Sequence, residues 1–334
     1  MGARARAHRV RAGAAQDEAA RAGPGVRTGR AMDGTRMQPN APRLRQPLIP
    51  PRIRIPLIMM APAVVIMVGV GIFPLLYSLR LMFTKWTMST EPAPVWNGLR
   101  TIGRLFHDAR LANSLMVTVQ FTVGAVLLEM VLGLLLALLL TRRTRFIQLA
   151  RTILLIPMMM TPVVVGMFWR FILNGDFGIV KYVLSLVGIT APVWTGSVQW
   201  AMPTVIAIDA WQWTPFVFLI LLAGLESLPT DVMEAARVDG ATAWSRFWLI
   251  TFPMLLPFVF ISALLRFIDA FRAFDNVFIL TGGGPADSTN LASLYVYWHG
   301  LRFFDMAYAS TLSYVVVMIV LVASYVFIRL ERND

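Results

Sequence analysis

The chain has 334 residues, 57% of them hydrophobic and only 14% charged, with a mean hydropathy of +0.66. So few charges do not cover the surface of a soluble domain, and the bilayer is the expected solvent. Cysteine is absent, which excludes disulfides, thiolate metal sites and cysteine nucleophiles.

The three histidines, His8, His107 and His299, are scattered without ligand spacing, so neither a metal site nor a cofactor is expected. The net charge of +12 is unevenly distributed. Residues 1–54 carry twelve arginines against Asp17, Glu18 and Asp33. That stretch has no apolar run and no periodicity. It reads as a disordered Arg-rich tail rather than a cleavable signal peptide or a nucleic-acid-binding surface. A translation start at Met32 or Met37 would remove most of it. Residues 55–330 have the composition of a membrane domain.

Six apolar segments follow, at residues 57–80, 113–140, 149–173, 202–224, 250–271 and 307–329. Each is long enough to cross a hydrocarbon core of about 30 Å. Backbone groups in lipid bond within their own segment, so the spans are expected to be helices. The fold class is all-α integral membrane, with six transmembrane helices. An even number of spans places both termini on one side. The basic tail and the loop "TRRTRF" (Thr141–Phe146) put that side in the cytoplasm.

Between the fourth and fifth spans, near residues 227–252, lies a charged element containing "MEAARVDGATAWSRFW". Pro229 suits a first helical turn, and Asp231 and Glu234 place negative charge at its positive end. Ala235 and Ala236 favour helix, Gly240 accepts a left-handed conformation that ends it, and Thr242 is placed to cap the next helix. On spacing alone this is equally a capped connecting loop.

Polar residues inside the spans are costly unless paired or wetted. Glu129, Asp209 and Asp269 either line a path or anchor helices. Arg266 lies mid-span and requires a carboxylate partner, with Asp209 and Glu129 the available options. Asp209, Gln212, Trp213 and Phe216 share one helical face. A polar and aromatic face suits a sugar, although Trp213 reads equally as a packing or interfacial residue. Asp269, Arg272, Asp275 and Asn276 crowd the end of span five, where Asp269 and Arg272 are placed to pair.

No nucleotide-binding P-loop is present, because Lys85 is followed by Trp86 and Lys181 by Tyr182. "TGGGP" (Thr281–Pro285) lacks a following lysine and reads as a flexible turn. Neither HExxH nor GxSxG occurs, so an intramembrane protease is poorly supported.

The charged element carries a resemblance. Glu234-Ala235-Ala236, then Gly240, then Ile250-Thr251-Phe252-Pro253 resembles the EAA loop of ABC importer permeases, with Phe252 where the family has leucine. "FRAFDNVFILTGGGP" (Phe271–Pro285) is similar to the corresponding stretch of maltose-type carbohydrate permeases. So are "DAWQWTPFVFLILLAGLESLP" (Asp209–Pro229) and "LEMVLGLLLALLL" (Leu128–Leu140). The resemblance covers roughly residues 55–330. It implies a type I ABC importer permease core with cytoplasmic coupling helices, in a bacterial cytoplasmic (inner) membrane, carrying a sugar or polyol. The implied partners are ABC ATPase subunits, a second permease as heterodimer partner, and an extracytoplasmic solute-binding protein.

On that resemblance Glu234, Ala235, Ala236, Asp239 and Gly240 are the ATPase-coupling candidates. Asp209, Gln212, Trp213, Phe216, Asp269, Arg272, Asp275 and Asn276 are the substrate-path candidates. No residue is expected to be catalytic, since ATP hydrolysis would belong to a partner. The rival readings are an ABC permease for a non-sugar solute, an ion-coupled secondary transporter using Glu129 and Asp209, and a scaffold without transport.

Overall fold

The computed structural model describes residues 51–141 and 144–331. Most of the expected disordered tail, residues 1–50, lies outside the described residues. Residues 51–54 already belong to the helix Pro51–Met67, so the expected boundary at residue 54 falls inside a helix. The chain divides into Met1–Ala61 and Pro62–Asp334, and the second unit holds the site.

Helix α1 spans Ile58–Leu81, and a two-stranded antiparallel ribbon, β1 (Thr84–Lys85) with β2 (Val95–Trp96), follows it. Helix α2, Ala109–Leu139, begins where the Asp108 carboxylate accepts the backbone N–H groups of Arg110 and Leu111. Next come α3 (Arg145–Met159) and α4 (Pro162–Ile172), then α5 (Val198–Ser227), capped by the Ser197 hydroxyl. Short α6 (Thr230–Val238) leads to α7 (Ala243–Phe271). Short α8 (Asp275–Leu280) and α9 (Ala292–Tyr297) precede α10 (Met306–Arg329).

Five of the six expected spans are continuous helices. The third is broken: α3 and α4 meet at 98°. The reason is local. Pro162 has no N–H to give and pushes the preceding residue out of the helical region, and both Met160 and Thr161 are extended, with ψ of 142°. The two pieces nonetheless make one crossing. Arg151 of α3 donates to Leu140 O at the end of α2 and pairs with Glu226 at the end of α5. The break lies against Gln212, midway along α5, and Leu173 just past α4 reaches the level of Thr204 in its first half. Proline also explains the π turns Val68–Ile72 and Phe247–Thr251, each followed two residues on by a proline, Pro74 and Pro253.

The exterior is apolar, as a bilayer solvent allows, and the mostly apolar interior encloses a few polar side chains. Glu129, Gln212 and Arg266 are fully buried, whereas Val65, Leu135, Phe146 and Leu249 are exposed. Helices α2 and α5 form the central pair. Gly133 permits their approach, because a Cβ there would lie 2.7 Å from Val217 Cγ1. An apolar cluster of Ala137, Val217, Phe218, Leu221 and Leu255 joins α2, α5 and α7 at one end. Another, including Phe121, Val205, Ala270 and Val277, fills the opposite half. The polar site lies between them.

Candidate functional site

Arg266, on α7, is the hub of the membrane interior. Its Nε donates to Glu129 Oε2 at 2.6 Å and its Nη2 to Glu129 Oε1 at 2.8 Å, a two-pronged contact with α2. Nη2 also donates to Asp209 Oδ2 on α5 at 2.8 Å, and Nη1 to Asp269 Oδ2 at 2.5 Å. The Trp213 ring lies over the guanidinium, 4.9 Å from centroid to Cζ. Arg266 therefore takes both carboxylate partners expected of it, and a third besides. Asp269 pairs with Arg266 rather than with Arg272. The reason is geometric: Arg266 lies one turn earlier with its guanidinium turned inward, while Arg272 Nε donates to the Ile268 carbonyl.

A second bracket repairs the helix break. Gln212 Nε2 donates to the Met160 carbonyl freed at the break, at 3.0 Å, and its Oε1 accepts from Asn276 Nδ2 at 2.9 Å. Gln212 thus ties the α3–α4 junction to α5 and α8, which satisfies backbone that lipid would leave unpaired.

Beside the break a cavity of about 320 Å³ opens, walled by Pro162, by Ala270, Ala273 and Phe274, and by six of the eight expected path residues. These are Asp209, Trp213, Asp269, Arg272, Asp275 and Asn276. Gln212 sits behind the wall and Phe216 packs against the apolar cluster of Phe218 and Leu221, so neither lines this cavity. The face written in the sequence as one unit is divided by depth: its Asp209 and Trp213 side reaches the cavity, and its Phe216 end belongs to packing. Chemically, the cavity offers carboxylates and a carboxamide oxygen as acceptors, the Arg272 guanidinium, whose Nε is held by the Ile268 carbonyl, and an indole face.

At the far end of α5 the coupling candidates lie on a short helix and its cap. Helix α6 closes in a complete left-handed cap: Ala241 N–H donates to Ala236 O at 3.0 Å, Gly240 N–H to Arg237 O at 3.1 Å, and Gly240 has φ of +79°. Thr242 then caps α7 by accepting from Ser245 N–H. Pro229 occupies the cap position itself rather than the first turn. Of the five candidates only Ala236 is buried; Glu234, Ala235, Asp239 and Gly240 are exposed, as are Val238 and Trp244. A groove of about 530 Å³ runs between α6 and the ends of α2, α5 and α7, with Glu234 and Arg237 on its wall.

One polar cluster was not anticipated. Asp108 accepts from Tyr295 Oη at 2.7 Å and Tyr308 Oη at 2.6 Å, joining the start of α2 to α9 and α10. Burial acts to raise its carboxyl. The hydroxyls of Tyr308 and Tyr295, with the N–H groups of Leu111 and Arg110, outweigh burial and hold it below the usual carboxylate range. The Tyr295 hydroxyl is raised in turn, by burial and by this carboxylate. No sequence spacing links residues 108, 295 and 308. "TGGGP" is likewise tied rather than loose: Thr289 bonds the Thr281 hydroxyl and the Gly284 carbonyl, each at 2.7 Å.

A bundle of membrane helices with a polar cavity at a mid-membrane break and a capped surface helix at one end is the build of a membrane transport subunit. The family model for the inner membrane component of binding-protein-dependent transport systems matches residues 129–332, and the chain belongs to that family, the permease subunits of ABC importers. It is 38% identical over 264 residues to the probable ABC transporter permease protein y4oQ of Sinorhizobium fredii, covering 79% of this chain and 85% of that one. It is 35% identical over 242 residues to the trehalose/maltose transport system permease protein MalF of Thermococcus litoralis, covering 72% and 81%. A crystal structure of a bacterial ABC transporter that imports the acidic polysaccharide alginate shares the fold. Its TM-score is 0.74 at 21% identity, over 84% of this chain and 96% of that one.

Proposed function

We propose that this permease forms part of the translocation path of an ATP-driven importer for a carbohydrate, a sugar or polyol. The observation that carries the reading is the cavity at the α3–α4 break. Its indole face and ring of acceptors suit a ligand with apolar C–H faces and donating hydroxyls. The trehalose/maltose relative supports the same class of solute.

On this reading an extracytoplasmic solute-binding protein releases the sugar into the cavity from one side. The α6–Gly240 lever docks on a separate ATPase subunit on the other side, so the termini and α6 are cytoplasmic. A second permease completes the path as heterodimer partner. ATP-driven closure of the ATPase pair moves α6. Because α7 follows its cap directly, that motion reaches Arg266 and Asp269 through a continuous helix. Substrate then meets one side or the other according to which packing of α2, α5 and α7 the lever favours.

Uptake of labelled trehalose, maltose and a polyol panel, compared between cells with and without this chain, tests the reading. Loss of uptake for one of these solutes on deletion is expected. Loss of amino-acid or phosphate uptake, with carbohydrate uptake intact, would replace it with the non-sugar alternative.

A further inference from the structure

The charges that meet at Arg266 do not balance. Glu129 places both oxygens on the guanidinium and has 0% of its side chain exposed, so the two charges neutralise each other. Asp269 takes the remaining terminal nitrogen, but half of its side chain is exposed on the cavity wall, where water supports its charge. Asp209 is left over. Its side chain is 4% exposed, its Oδ2 accepts from an Nη2 already shared with Glu129, and the Glu129 carboxyl itself lies within hydrogen-bonding reach of it.

Among the described residues no cation other than Arg266 forms an ion pair with Asp209. A metal ion does not make up the difference, since no group of three metal-ligating side chains exists among the described residues. The surroundings are known from every side. Glu129 faces the group from α2, Arg266 and Asp269 from α7, and Gln212 and Trp213 share its own helix. Arg272, Asp275 and Asn276 stand on the same cavity wall. Asn276 adds an independent sign: its Oδ1 is buried and receives no hydrogen bond, so this part of the wall holds an acceptor without a donor.

We propose that Asp209 is a proton-binding site, held as the neutral carboxylic acid in the centre of the bundle. A buried carboxylate without its own counter-ion takes up a proton in preference to bearing its charge in a medium of low dielectric. The proton leaves the Glu129–Arg266 pair as the one fully buried ion pair among the described residues, and it presents the cavity with an O–H donor among acceptors. It is a fixed structural proton. This separates the site from the ion-coupled rival, in which Glu129 and Asp209 would load and release an ion in each cycle.

Infrared spectroscopy of the purified full chain, with the subunits that accompany it, in lipid nanodiscs and labelled with carboxyl-13C aspartate, tests the proposal. The expected result at neutral pH is the carbonyl stretch of a protonated aspartic acid, shifted by the label and missing in Asp209→Asn. In parallel, Asp209→Asn should unfold at the wild-type temperature, since it exchanges one neutral group for another, while Glu129→Gln unfolds at a lower one. The absence of a protonated-aspartate band in the wild type, or destabilisation by Asp209→Asn as large as that by Glu129→Gln, would overturn it.

Discussion

Replacing Arg266 with methionine isolates the polar centre of the bundle. The substitution keeps an unbranched stem and removes the charged head, so Glu129 loses the partner of both its oxygens while remaining fully buried. Breaking a buried pair from one side costs about 3–5 kcal/mol. At about 1.4 kcal/mol per tenfold, that lowers the folded-to-unfolded ratio roughly 150- to 4000-fold. Asp269→Asn removes a bond to the same guanidinium, but from a side chain that is half exposed. Solvent screening limits that loss to about 1 kcal/mol or less. Adding Glu129→Gln to Arg266→Met leaves no buried charge at that pair, so the double variant should recover at least half of the loss. Denaturant unfolding of the purified chain in detergent, read as a double-mutant cycle, measures all of these quantities. If Arg266→Met falls no further than Asp269→Asn, or if the double variant loses the sum of the singles, the buried pair is not what holds α2 to α7.

Three further outcomes follow from the same geometry. Gln212→Leu leaves Met160 O and Asn276 Nδ2 unpaired, at about 1–3 kcal/mol for each buried group; the hydrogen exchange of α4 should quicken more than that of α10. Gly240→Val meets no atom within 4 Å, so its effect is the backbone cost of a side chain at φ +79°, about 1–2 kcal/mol. The α6 cap should open, and recovery of an ATPase with the chain should fall, whereas Ala243→Val should leave recovery unchanged. The third outcome concerns pH. Asp108 is held below its ordinary 3.8, so its contribution to stability is fully present above that value and is lost as pH falls through the depressed folded value. Removing both hydroxyls with Tyr295→Phe and Tyr308→Phe should flatten that acid limb in thermal unfolding.

The spans and the capped helix α6 were legible because each is written locally. Twenty apolar residues declare a helix, and the run from Pro229 to Thr242 contains its own start, stop and restart signals. The break in the third span was also present, as Pro157 and Pro162, but the apolar run around them hid it. Hydropathy measures whether a segment enters the membrane and says nothing of whether it bends there. Arg266 announced that it needed a partner, since an unpaired guanidinium in lipid is untenable. That Asp269 pairs with Arg266 and not with Arg272 depended on which way each side chain turns from α7. Gln212 looked like a path residue by its spacing, but the structure uses it to satisfy the carbonyl at a helix break 52 residues away. The Asp108 cluster joins positions 187 and 200 residues apart, which no local pattern encodes.

The central claim is that the α6–Gly240 lever connects this permease to a separate motor. The direct measurement is to tag the chain at its C-terminus, purify it in mild detergent and identify what accompanies it, for the wild type and for variants at Glu234 and Gly240. The account predicts recovery of an ATPase subunit and a second multi-span permease with the wild type, and loss of the ATPase when Glu234 and Gly240 are replaced. Recovery of a stable, folded chain with no ATPase, or undiminished ATPase recovery in those variants, would contradict it.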